Sequence, residues 1–166
     1  MREFRTWPAG DPANEKGWNM DRALKVLVVD DEPDILETLE FSLARRGFDV
    51  ATAADGLEGL EKAKRVPPDF MILDVMLPGC NGYEVSRMLK EWMDNDPQSA
   101  PFPIMLLTAR KVDTRDREKF IATWSRADAC MYKPFEMEEI VATIHQLTAR
   151  RGAPAATAAK NPIPLP

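Results

Sequence analysis

A carboxylate that closes an apolar run needs a reason to be there. The stretch "FMILDVML" places Asp74 behind Phe70, Met71, Ile72 and Leu73. Desolvating an unpaired charge at such a position is costly or shifts its pKa. Other polar residues share that placement: Asp30-Asp31-Glu32 after "KVLVV", Thr108 after "PIMLL", and Lys133 after "ACMY". Brought together, they set carboxylates that repel one another beside a hydroxyl and an amine. A hard, oxygen-seeking cation such as Mg²⁺ relieves that repulsion, keeps some of its waters and leaves room for a phosphate oxygen. A carboxylate beside such an ion can attack a phosphoryl group and become an acyl phosphate. Thr108 and Lys133 then offer a hydrogen bond and a positive charge where the new anion forms. In that chemistry Asp74 is the nucleophile. Taken singly, each residue has a plainer role. The acidic triplet can cap a helix starting near Pro33, Lys133 can be a turn lysine, and Thr108 an ordinary strand residue. Their common position at the ends of apolar runs weakens all three plain roles.

The elements that must position these groups alternate along the chain. "KVLVVD", "FMILD" and "PIMLLT" are short, continuous apolar runs, as expected of central strands buried on both faces. "FDVATA" and "ACMY" are weaker strand signals. Helix-period segments lie between and after them: "DILETLEFSLARRG", ended by Gly47; "DGLEGLEKAK", with Asp55 as N-cap; "YEVSRMLKEW"; "TRDREKFIATW"; and "EMEEIVATIHQL". Met88, Trp92, Met137 and Ile144 fall on apolar stripes and are expected in the core. Five βα units in alternation imply an α/β fold, a doubly wound parallel sheet of five strands with five helices on its two faces. Ligands of such sheets bind beyond the carboxyl ends of the strands, where the residues above collect.

Composition sets the limits. The chain has 166 residues, 45% of them hydrophobic, a net charge of −5 and a pI near 5.0. One domain with a substantial core fits that length. The acidic balance argues against a nucleic-acid-binding surface, because Arg45-Arg46, Arg110-Lys111 and Arg150-Arg151 are short and scattered. Cys80 and Cys130 form neither a disulfide framework nor a metal pair. No apolar stretch is long enough to span a membrane, and the N-terminus lacks a signal peptide's apolar centre. The expected location is the cytoplasm. Residues 1–22 read as a flexible leader, 23–151 as the folded domain, and 152–166 as an Ala/Pro-rich disordered tail.

The four segments "VVDDEPDI", "ILDVMLPGCNGYEV", "LLTA" and "YKPF" resemble, in order, the motifs of the receiver domain of two-component response regulators. The resemblance runs from about Leu24 to Ala149 and implies a flavodoxin-like fold with strand order 2-1-3-4-5. It makes Asp74 the phosphoacceptor. Asp31, Asp74 and the backbone carbonyl of Met76 would bind Mg²⁺, with Asp30 assisting. Thr108 and Ala109 would meet the phosphoryl group, Lys133 would pair with it, and Lys133-Pro134 would be a cis peptide. Met76 and Arg110 occupy positions that tune phosphoryl lifetime. A methionine thioether is a weak acceptor and cannot orient an attacking water, so self-dephosphorylation is expected to be slow.

The pattern is also broken in places. Receivers usually couple the threonine to an aromatic residue three positions before the lysine, where this sequence has Cys130. Arg126 replaces a usual glycine, and the Thr108–Lys133 interval is longer than the family habit. These departures predict an output face rebuilt around Trp124 and Cys130. His145, on the last helix, is expected at the surface, far from the strand ends. The implied partners are a sensor histidine kinase or histidine phosphotransfer protein and a downstream protein target, with no nucleic acid and no membrane; a homodimer stays open. Too little sequence follows Arg151 for a further DNA-binding module, so the expected output is protein–protein contact. Beyond self-dephosphorylation the chain is not expected to be an enzyme. Two alternatives differ in class. A pseudo-receiver would bind partners without phosphorylation. A haloacid-dehalogenase-like phosphatase would need a second aspartate where Met76 stands.

Overall fold

The computed structural model describes Trp7, residues 22–109 and residues 123–150. Five parallel strands form one sheet: β1 (Lys25–Val29), β2 (Asp49–Ala53), β3 (Phe70–Asp74), β4 (Ile104–Thr108) and β5 (Ala129–Tyr132), in the order β2-β1-β3-β4-β5. The described helices are α1 (Pro33–Ala44), α2 (Gly56–Arg65), α3 (Gly82–Asn95) and α4 (Met137–Ala149). Residues 123–125 are also helical. They end the segment expected to form the helix between β4 and β5, most of which lies outside the described residues. The flavodoxin-like α/β architecture read from the sequence is the observed one.

Every residue of β3 and β4 is buried, because helices cover both faces of the sheet. Alternate side chains feed two cores. One gathers Leu27, Val29, Met71, Leu73, Ile104 and Leu106 with Leu60, Val85 and Leu89. The other gathers Val26, Val28, Phe70, Ile72, Met105 and Leu107 with Leu36, Leu39, Leu43, Ile140 and Ile144. The period-2 alternation of a strand requires that division. The edge strand β5 is only partly buried, which accounts for its weak apolar signal.

Local chemistry fixes the helix ends. Asp55 caps α2 by accepting from the Glu58 amide at 2.8 Å. Asn81 and Glu84 form a reciprocal capping box on α3. Gly47, at φ +88°, lets the chain turn back from α1 into β2. Trp92 and Met137 pack at the core margins and Ile144 is buried, as expected. Met88, expected in the core, is instead exposed. The buried stripe of α3 runs through Val85, Ser86, Leu89 and Met93, and Met88 lies at its edge. Trp7, within the stretch read as a flexible leader, is buried and belongs to the first core.

Candidate functional site

Strand register builds the site. Val29 pairs with Leu73, Asp74 with Leu107, and Thr108 with Tyr132. Asp30 and Asp74 therefore end their strands at one level, with Thr108 and then Lys133 a step further along. The Lys133 amide donates to the Thr108 carbonyl at 2.8 Å, which extends the β4–β5 ladder to the lysine itself.

At this rim the Lys133 ammonium donates to Asp30 Oδ2 at 2.8 Å and lies 2.9 Å from Asp74 Oδ1. It also reaches Glu32 Oε1 at 3.4 Å. Asp30 and Asp74 are almost wholly buried, and the lysine side chain is 15% exposed. Backbone amides complete the carboxylates' contacts. The Met76 amide donates to Asp74 Oδ2 at 2.6 Å, and the Glu32 amide to Asp30 Oδ1 at 2.9 Å. Asp31 is exposed and completes a triplet with Asp30 and Asp74 whose oxygens lie within 4.8 Å of one another. The acidic residues do not cap α1, whose N-cap Glu32 makes no side-chain capping bond. That removes the plainer role for the triplet.

Electrostatics follow from burial. Desolvation raises the Asp30 carboxyl above its ordinary range, and bonds from Lys133 and the Glu32 amide only partly oppose it. Burial works against the Lys133 charge too, but hydrogen bonds to Asp30 and Asp74 outweigh it and hold the ammonium well above the usual lysine value. One lysine charge faces a cluster of hard carboxylate donors, so the donor set suits a divalent cation such as Mg²⁺, which Asp30, Asp31 and Asp74 could hold.

The other sequence-derived positions divide. Thr108 is buried at the end of β4 and Ala109 is exposed just beyond it. Lys133-Pro134 is cis. The Met76 side chain is 60% exposed while its amide touches Asp74. Cys130 is exposed on β5 and pairs in register with Leu106, away from the acids. His145 is exposed on α4, its ring 5.5 Å from that of Phe48. Arg110 lies outside the described residues. Sequence reasoning missed Tyr83, in the first turn of α3, whose half-buried side chain lies near Thr108 and Cys130. Burial pushes its phenol above the ordinary tyrosine range. Its place directly after Gly82, at the start of the helix that follows Asp74, was the available signal.

Residues 26–145 match the family model for the response regulator receiver domain. The chain is 40% identical over 126 residues to the alkaline phosphatase synthesis transcriptional regulatory protein PhoP of Bacillus subtilis, covering 76% of this chain and 49% of that protein. It thus spans about half the length of the curated relatives it matches. Among solved structures it resembles the chemotaxis protein CheY4 of Vibrio cholerae at 30% identity and a TM-score of 0.65, covering 75% of this chain and 98% of that one. It also resembles the receiver domain of the sensor histidine kinase PA1611 of Pseudomonas aeruginosa, at 25% identity and a TM-score of 0.65, covering 76% and 98%. That structure is described with a magnesium ion coordinated in its active-site cleft.

Proposed function

This chain belongs to the response regulator receiver domain family, and on that premise we propose that it takes a phosphoryl group onto Asp74 from a histidine kinase or histidine phosphotransfer protein. The observation that carries the reading is the Lys133 ammonium held between Asp30 and Asp74, 2.8 and 2.9 Å away, with Asp31 beside them. An Asp74 oxygen attacks the phosphorus of a phosphohistidine. The P–N bond breaks, and the imidazole keeps the electron pair and takes up a proton. Lys133 is already paired with the carboxylate that gains the new dianionic group, so its charge is in place before transfer and need not reorganise. Thr108 and the Ala109 backbone meet the phosphoryl oxygens. Asp30, Asp31, Asp74 and the Met76 carbonyl would hold Mg²⁺, which when bound offsets the charge of the acids and of the transferring group.

The output is contact with another protein, biased by the population of an activated state. The PhoP relative is named for transcriptional regulation, so the absence of nucleic acid from the signalling route is proposed for this stretch alone. Incubation with acetyl phosphate and Mg²⁺ tests the reading by intact mass. A phosphoryl adduct should form on the wild type, decay slowly because Met76 offers no water-orienting group, and be absent from Asp74→Asn. An adduct that survives Asp74→Asn, or that forms equally with chelator present, would refute it.

A further inference from the structure

Between the first turns of α2 and the loop that follows β3 lies a groove of about 540 Å³, lined by Asp55, Leu57, Glu58, Glu61, Pro78 and Gly79. Its two walls are held together. A Cβ on Gly56 would stand 2.8 Å from Val85 Cγ2 and 2.9 Å from the Cys80 carbonyl oxygen, so α2 rests directly on the end of that loop and the start of α3. The loop turns Leu77 inward and leaves Met76, Pro78 and Gly79 exposed. On the facing wall Leu57 is 59% exposed, outside the buried stripe of Gly59, Leu60 and Ala63. Glu61 lies one turn along from it on the same face, exposed and without an ion pair among the described residues. Every ionisable side chain that lines the groove is acidic. Glu58 is offset by Lys62 at 2.7 Å, which leaves the charges of Asp55 and Glu61 facing solvent beside an exposed leucine and an exposed proline. The other exposed apolar pair on this side, Met88 and Trp124, differs: there Arg87 already pairs with Glu91 at 2.8 Å and lies 5.0 Å from the centre of the Trp124 ring.

We propose that this groove docks a protein partner through a basic amphipathic segment, seating one aliphatic side chain between Leu57 and Pro78 and setting Lys or Arg side chains against Asp55 and Glu61. The apolar contact supplies affinity, and the unmatched negative charge selects the partner and speeds its approach. Walls locked by the close approach at Gly56 mean that little has to be ordered on binding. A second copy of this chain, with a net charge of −5, would meet the groove with like charge. None of Asp30, Asp31, Asp74 and Lys133 lines the groove, so the inference does not rest on the phosphoacceptor reading.

The probe is a short synthetic peptide of leucine and lysine at helical period, titrated into the full chain labelled with ¹⁵N. Two companions of equal length carry serine in place of leucine, or glutamate in place of lysine. The leucine–lysine peptide should move the amide signals of residues 55–61 and 76–80, and neither companion should do so at the same concentration. Leu57→Ala should weaken its binding about fivefold, the scale of a partly buried leucine side chain. Glu61→Lys should weaken it by a similar factor, about fivefold, through loss of an attraction and gain of a repulsion. Both positions face solvent, and unchanged signals elsewhere in each variant would show that the fold is kept. Equal binding of the serine peptide would reduce the groove to an acidic patch and overturn the proposal. So would shifts centred on another face, affinity indifferent to both substitutions, or the same amides moving with protein concentration alone, which would make a second copy the occupant.

Discussion

Lys133 shows how much one side chain can carry at a crowded rim. It lies within ion-pair distance of Asp30, Asp74 and Glu32. Glu32 is 63% exposed and contributes little; the buried pair Asp30 and Asp74 matters. Breaking a buried ion pair by removing one partner typically costs about 3 kcal/mol, so Lys133→Met should lose about that much at pH 7 without metal, read by urea unfolding. The pH dependence follows from the signs. The Asp30 carboxyl is raised in the folded state, so the native protein binds that proton more tightly than the unfolded chain. Its contribution to stability therefore falls as pH rises from the ordinary value of 3.8 through the raised one. Removing Lys133 deletes bonds that hold that carboxyl down, so the deficit of Lys133→Met should shrink as pH is lowered from 7 toward 4. At high pH the wild-type lysine follows the same sign. The raised lysine contributes fully below 10.5, and that contribution is lost as pH climbs through the higher folded value. Asp30, Asp74 and Lys133 were legible in the sequence because a charge ending an apolar run demands compensation.

At the scale of elements, α3 is positioned by the absence of a side chain. A Cβ on Gly82 would meet the Asp74 carbonyl oxygen at 2.1 Å and the Val75 Cα at 2.9 Å, both rigid backbone. Gly82→Ala must push the helix away from β3, and overpacking of this kind costs about 1–3 kcal/mol. The expected outcome is that loss in a denaturant titration, with slower acetyl-phosphate labelling of Asp74 because its backbone moves as well. Arg126 poses the reverse case. It is the only described non-glycine residue with positive φ, at +58°, where the sequence departs from the family's glycine. Left-handed backbone costs a side-chain-bearing residue about 1 kcal/mol. Its ion pair with Asp94 at 2.8 Å joins two solvent-facing side chains and recovers about 0.5 kcal/mol or less. Arg126→Gly should therefore be the more stable protein, melting about 1–2 °C higher, while Asp94→Ala should melt slightly lower than wild type. The central strands could be read directly from their apolar runs, since burial on both faces leaves no polar position within them. The edge strand β5 could be read only weakly because its outer side is open, and Met88 was misplaced because period alone does not say where an apolar stripe ends.

For the molecule as a whole, the question is how the N-terminal stretch relates to the domain. Nothing in its composition marks Trp7 as a core residue, yet it is 7% exposed, with the Lys25 ammonium 5.7 Å from its ring centre. Its indole Nε1 is buried and has no hydrogen-bond partner among the described residues. Burying an indole is worth up to about 5 kcal/mol by area. An unpaired donor takes back about 1–3 kcal/mol, and fixing the backbone and side chain of Trp7 itself takes back about 1–2 kcal/mol more. The net should be about 1–2 kcal/mol, and two substitutions can separate its parts. Trp7→Ala forfeits the area and should lower stability by that amount. Trp7→Phe keeps most of the ring and removes the unpaired donor, so it should be neutral or slightly stabilising. Lys25 opens β1 and Asp30 follows its far end, so the whole strand, about 16 Å at its usual rise, separates Trp7 from the acidic rim. Mg²⁺ affinity measured calorimetrically should therefore stay within about twofold of wild type in both variants. If affinity fell in step with stability, the two ends of β1 would respond as one unit, and Trp7 would belong to the frame that holds the acids in register.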